Sequence, residues 1–100
     1  MRAATSGRTV FKFRIYVAGD AQNSVQALAN LRALCHACLL NRSEIEVVDV
    51  FREPKRALAD GIFMTPTLLK LKPGPSQRIV GSLSQTQTVL QALGLDAQAA

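Results

Sequence analysis

The chain has 100 residues, enough for one domain and too few for two. Twelve basic residues against seven acidic ones give a formal charge of +5 at pH 7, and 48% of the residues are apolar while only 5% are aromatic. This balance excludes a disordered chain, two cysteines exclude a disulfide-stapled scaffold, and no apolar run reaches the ~20 residues of a membrane span.

In chain order, residues 1–9 carry Arg2, Ser6, Gly7 and Arg8 and read as a flexible basic tail. They lack the apolar centre of a signal peptide, so the expected compartment is the cytoplasm, where thiols stay reduced. From Val10 to Val17 the chain alternates: Phe11, Phe13, Ile15 and Val17 share one face, and Lys12, Arg14 and Tyr16 share the other. That period of two predicts a strand with a buried aromatic face and a solvated basic face on which Tyr16 lies. After the Ala18-Gly19-Asp20 break, Val25, Leu28, Leu31, Leu34, Cys35, Cys38 and Leu39 recur at helical spacing. The spacing predicts a helix over residues 24–40, capped by Asn23 or Ser24 and stopped near Asn41.

Ile45 to Phe51 is a near-continuous apolar run holding Asp49, which predicts a short strand of the buried type and completes a βαβ unit. Pro54 suits the first turn of a short helix running to Asp60, with Gly61 ending it. Thr65-Pro66-Thr67 introduces the apolar Leu68, Leu69 and Leu71, Pro73-Gly74-Pro75 makes a turn, and Arg78-Ile79-Val80 returns as the second arm of an antiparallel hairpin. Ser84 is placed to cap a last helix carrying Val89, Leu90 and Leu93, with Gly94 as its stop. Residues 10–95 thus form the domain and 96–100 a loose tail. The order βαβαββα is that of an α/β thioredoxin-like domain, and Thr65-Pro66 stands where most such domains place a cis-proline before the third strand.

Cys35-His36-Ala37-Cys38 is the most conspicuous motif. A thiol–disulfide oxidoreductase built on Cys35 and Cys38 is the rival functional reading, but its chemistry needs a thiolate at a helix N-terminus, where free N–H groups and the dipole favour negative charge. Here the pair comes three turns into the predicted helix, on its apolar stripe, so packing is the preferred role. His36 points about 100° away from Cys35 on a helix and no fourth ligand is near in sequence, so a zinc site fails. There is one histidine and no nucleophile motif, and Asp49 has no second carboxylate with which to share acid–base work. No catalytic residue, metal or cofactor is expected. Nucleic acid is not expected either, because a stacking platform needs exposed aromatic residues on a basic face. What remains is surface recognition: Lys70, Lys72 and Arg78 flank the hairpin and Arg52, Lys55 and Arg56 follow the second strand, a set able to steer an acidic partner.

The ordered set Tyr16-Val17-Ala18-Gly19, Asn23-Ser24-Val25, Ala27-Leu28, Val47-Val48-Asp49-Val50, Pro54, Thr65-Pro66-Thr67-Leu68, Lys70, Pro73, Pro75, Arg78-Ile79-Val80-Gly81 and Leu83-Ser84 resembles the KaiB family from about Phe11 to Leu93. The sensor domain of the clock kinase SasA is similar too. The resemblance implies a non-catalytic clock protein, or one tied to stress signalling, that binds the KaiC-like ATPase ring. Where a cell has them, it also implies KaiA or a clock histidine kinase as partners. It implies two interconverting arrangements, a monomeric thioredoxin-like fold and a ground fold, βαββααβ, that forms a homo-oligomer (dimer or tetramer). It further implies Lys70 and Arg78 as partner-binding residues and Pro66 as a fold-determining proline. At Gln26, Ala29, Gly61 and Gln77 the chain carries uncharged residues where the family often has basic ones, and Gly74 replaces a proline, which makes it a divergent member.

Overall fold

The structure, a computed structural model, describes residues 10–39 and 42–94, so the two predicted tails and the helix stop near Asn41 lie outside the described residues. The described elements are β1 (Phe11–Val17), α1 (Gln22–Cys38), β2 (Ser43–Asp49), α2 (Pro54–Ala59), β3 (Thr67–Lys72), β4 (Gln77–Val80) and α3 (Thr86–Leu93). They form a sheet in the order β2-β1-β3-β4, with β1 parallel to β2 and antiparallel to β3, and β3 antiparallel to β4. This is the thioredoxin-like arrangement rather than βαββααβ, and the Thr65–Pro66 bond is cis.

The alternation of β1 divides the interior in two. Phe11, Phe13, Ile15 and Val17 pack with Leu68 of β3, with Ala27, Leu31, Leu34 and Cys35 of α1, and with Val89 and Leu93 of α3. Tyr16, on the opposite face, packs with Val48, Leu69, Ala57 of α2 and Ile62. Two helices therefore cover one face of the sheet, and the short α2 covers one end of the other. Burial of these aliphatic and aromatic side chains, each contributing roughly 1.5–3 kcal/mol, holds the layers together.

Several local expectations are revised. Tyr16 is buried, not on a solvated strand face, because α2 lies over that end of the sheet. β2 runs from Ser43 to Asp49 rather than from Ile45 to Phe51, and it is an edge strand with Val47 exposed, not a buried one. Its apolar run implies two covered faces, but among the described residues β1 is its one strand neighbour and Val47 stands exposed. α1 begins two residues early, with Ala21 as N-cap and no side-chain cap. The Ser24 hydroxyl instead accepts the Ala18 N–H at 3.0 Å, closing the β1–α1 turn, and Val25 faces solvent. α3 has Gln85, not Ser84, as N-cap, and ends as predicted at Gly94. Pro54 sits at the start of α2, as expected.

Candidate functional site

Beyond the carboxyl ends of the parallel pair β1 and β2, two turns and one loop meet. In open α/β sheets this end is where ligands bind. Asp49, the last residue of β2, organises the first half: its Oδ1 accepts the Gly19 N–H at 3.2 Å and the Phe51 N–H at 2.9 Å. One carboxylate thus ties the turn after β1 to the turn after β2. Gly19 has φ +56°, a conformation open to glycine, and a Cβ there would stand 3.5 Å from the Phe51 ring.

The second half is the loop from α2 to β3. Asp60 caps the end of α2, and Gly61 turns the chain with φ +67°. Ile62 is buried and its N–H bonds to the Ala57 carbonyl at 2.8 Å. The next two side chains point outward, with Phe63 88% and Met64 64% exposed. The Thr67 hydroxyl donates to the Met64 carbonyl at 2.6 Å, and the carbonyl of buried Pro66 accepts the Gly81 N–H at 2.9 Å. Phe51, 74% exposed, faces the same cleft of about 220 Å³, whose floor is Ala18, Val50, Ala57 and Ile62. Three large apolar side chains standing in water around one cleft are what a protein-binding surface looks like on a free protein. Arg52 and Lys55, both exposed, follow Phe51 in the chain.

Beneath α2 lies a polar network. The Tyr16 hydroxyl donates to Asp60 Oδ2 and sits 3.1 Å from the Arg56 carbonyl. Arg14 donates to Asp60 at 3.0 Å and to Glu46 at 2.8 Å, and Arg56 pairs with Glu46 at 2.7 Å and with Glu53 at 3.4 Å. The hydrogen bond from Tyr16, followed by that from Arg14, holds the Asp60 carboxyl below the usual aspartate range; Arg14 and then Arg56 do the same for Glu46. Burial, then the bond to Asp60, pushes the Tyr16 phenol up to about 12.

The residues singled out from sequence fall in different places. Arg78 is exposed, yet its guanidinium donates to two backbone carbonyls, Asp60 at 2.7 Å and Gly61 at 2.8 Å. Lys70 is 6% exposed, with Nζ 3.1 Å from the Leu93 carbonyl and 5.9 Å from the Phe11 ring centroid. It tethers the last turn of α3 to the sheet and is an interior group in this arrangement. Neighbours on β3 and β4 alternate faces, so the two cations reach opposite sides: Lys70 the end of α3, Arg78 the end of α2. Cys35 and Cys38 are free thiols in the last turn of α1, remote from the cleft's turns by the length of that helix; burial pushes the Cys35 thiol up. His36 is exposed. Among the described residues no group of three or more His, Cys, Asp or Glu could hold a metal ion, and no helix is long and apolar enough to cross a membrane.

Local periodicity does not single out Phe51, Phe63 and Met64: Phe51 reads as the end of a strand, and Ile62-Phe63-Met64 lie between two elements. The available signal was an apolar triplet confined between Gly61 and Pro66, in a loop where burial has little regular structure to serve.

Comparison with known proteins bears on this geometry. A family model described as the KaiB domain matches residues 14–95. The circadian clock protein KaiB3 of Synechocystis sp. (strain PCC 6803) is 43% identical over 83 residues, covering 83% of this chain and 79% of that protein. The circadian clock oscillator protein KaiB of Synechococcus sp. (strain RCC307) is 41% identical over 91 residues, covering 91% and 81%. Among solved structures, chloroplastic thioredoxin z superposes with TM-score 0.72 at 18% identity, covering 94% of this chain and 85% of that one. The N-terminal domain of Synechococcus elongatus SasA gives 0.62 at 22% identity, covering 86% and 85%. At these identities the two structures speak for the fold alone.

Proposed function

The chain belongs to the KaiB family, and from that premise we propose that it is a non-catalytic clock-type regulator that docks on a KaiC-type ATPase ring. The observation that carries the docking reading is the exposed trio Phe51, Phe63 and Met64 around the cleft at the carboxyl ends of β1 and β2. Large apolar side chains gain most by leaving water when a partner fills the cleft, and aromatic anchors carry a disproportionate share of interface energy. Arg52, Lys55 and the net charge of +5 speed encounter with an acidic surface. Arg78 borders this surface through the Asp60–Gly61 turn, whereas Lys70 holds α3 on the other face of the sheet.

The chemistry of the thiols supports a regulator over an oxidoreductase. Cys35 and Cys38 lie at the carboxyl end of a 17-residue helix, where the dipole opposes a thiolate, and burial disfavours it further at Cys35.

The test is titration of the purified chain against a purified KaiC ring. Phe63→Ala is expected to weaken binding at least about tenfold. Because Phe63 is almost wholly exposed, its thermal unfolding should stay close to that of the unaltered chain. Equal affinity of the two proteins would remove the cleft from the interface.

A further inference from the structure

The structure assigns Arg78 the role of a positioning residue that holds the Asp60–Gly61 turn and thereby presents Phe63 to the partner. This rests on the docking reading above, and it concerns how the docking loop is held rather than what the loop contacts.

The loop is pinned at both ends and bare in the middle. At its start, Arg78 forks onto two consecutive carbonyls, Asp60 and Gly61, at 2.7 and 2.8 Å. These are groups that the end of a helix leaves without intrahelical partners. The same Asp60 is fixed through its side chain by Tyr16 and Arg14, so backbone and carboxylate are held from different strands. At its end, Thr67 holds the Met64 carbonyl. Between these points Phe63 stands in water. An apolar side chain on a backbone already fixed loses less freedom on binding than one on a loose loop, and that difference appears as affinity.

The chemistry requires arginine. A planar guanidinium offers parallel N–H groups on two nitrogens, matched to two neighbouring acceptors; the three donors of a lysine ammonium diverge from one nitrogen and cannot reproduce that fork. A Cβ at Gly61 would rest 3.9 Å from the Arg78 guanidinium, in ordinary contact, so the clamp lies directly over the turn.

The experiment compares Arg78→Lys and Arg78→Gln with the unaltered chain by amide hydrogen exchange of the free protein, then by titration with a purified KaiC ring. In the free protein, exchange at the Gly61 and Ile62 amides, which bond to the Leu58 and Ala57 carbonyls, is expected to quicken about tenfold in both variants, while β1 and α1 keep their protection. In the titration, Arg78→Gln is expected to weaken binding, and combining it with Phe63→Ala should cost little more than Phe63→Ala alone, because an undisplayed and an absent ring are equivalent. Additive losses would make Arg78 a direct contact and overturn the proposal; so would unchanged exchange at Gly61 and Ile62. Arg78→Lys keeps the charge, so recovery of full affinity by lysine would likewise overturn it. If the unaltered chain fails to bind the ring, the docking reading falls, while the exchange measurement still decides whether Arg78 clamps the turn.

Discussion

Tyr16 shows what a single buried hydroxyl can organise. Its ring fills the smaller of the two cores, and its oxygen meets Asp60 and the Arg56 carbonyl, both from the α2 segment. Tyr16→Phe keeps the ring and removes the donor, leaving Asp60 to Arg14 alone. The expected destabilisation is about 2 kcal/mol, the range for a hydrogen bond to a charged group, read from the urea midpoint with an unchanged slope. A loss under about 0.5 kcal/mol would mean that water replaces the hydroxyl without penalty. At the same scale, Lys70 is a lesson in side-chain identity. Its position in β3 reads as an exposed charge on a hairpin, but its long stem reaches past Phe11 to the end of α3.

At the scale of elements, the chain uses cations to attach helices to a sheet. α2 and α3 are short, six and eight residues, and neither has a side-chain N-cap. Helices of that length are marginal by themselves and hold their shape through tertiary contacts. Lys70 reaches the carboxyl end of one and Arg78 that of the other, while Arg14, Glu46 and Arg56 lace α2 to β1 and β2. The network makes stability depend on pH at both extremes. Asp60 and Glu46 titrate lower when folded than unfolded, so their contribution is complete above the ordinary carboxylate range and is lost as pH falls through their folded values. Tyr16 titrates higher when folded, so its contribution is complete below about 10 and is lost as pH rises toward about 12. Denaturant midpoints measured across pH should fall on both sides, and Tyr16→Phe should flatten the alkaline side. An alkaline side unaltered by that substitution would place the titrating group elsewhere.

For the whole molecule, the sheet decides which surfaces are free. Two helices cover one face and one short helix covers an end of the other, so the carboxyl end of the parallel pair is left with a cleft rimmed by Phe51, Phe63 and Met64. The thioredoxin-like fold is here without cysteines at the β1–α1 turn, and that separates architecture from redox chemistry. Replacing both cysteines, Cys35→Ala with Cys38→Ala, should leave affinity for a KaiC ring within about twofold, since the helix end they occupy is apart from the cleft. Catalytic turnover of a disulfide substrate by the unaltered chain, abolished in that double variant, would restore the oxidoreductase reading.

Much of this was readable from residue order. Alternation in Phe11–Val17, the apolar stripe of α1, Pro54 at a helix start and the Pro73-Gly74-Pro75 turn are local signals, and each produced the element it indicated because backbone geometry acts over a few residues. The KaiB-like order of short motifs spans most of the chain and was visible for the same reason. What residue order left open was coverage: that β2 lies at an edge, that Tyr16 and Lys70 are interior, that Arg78 grips a turn 17 residues away, and that Phe63 stands in water. Those outcomes depend on which strands are neighbours and where α2 and α3 come to rest. Burial is a property of what lies across a face, and local periodicity can tell the two faces of a strand apart without saying which of them another element will cover.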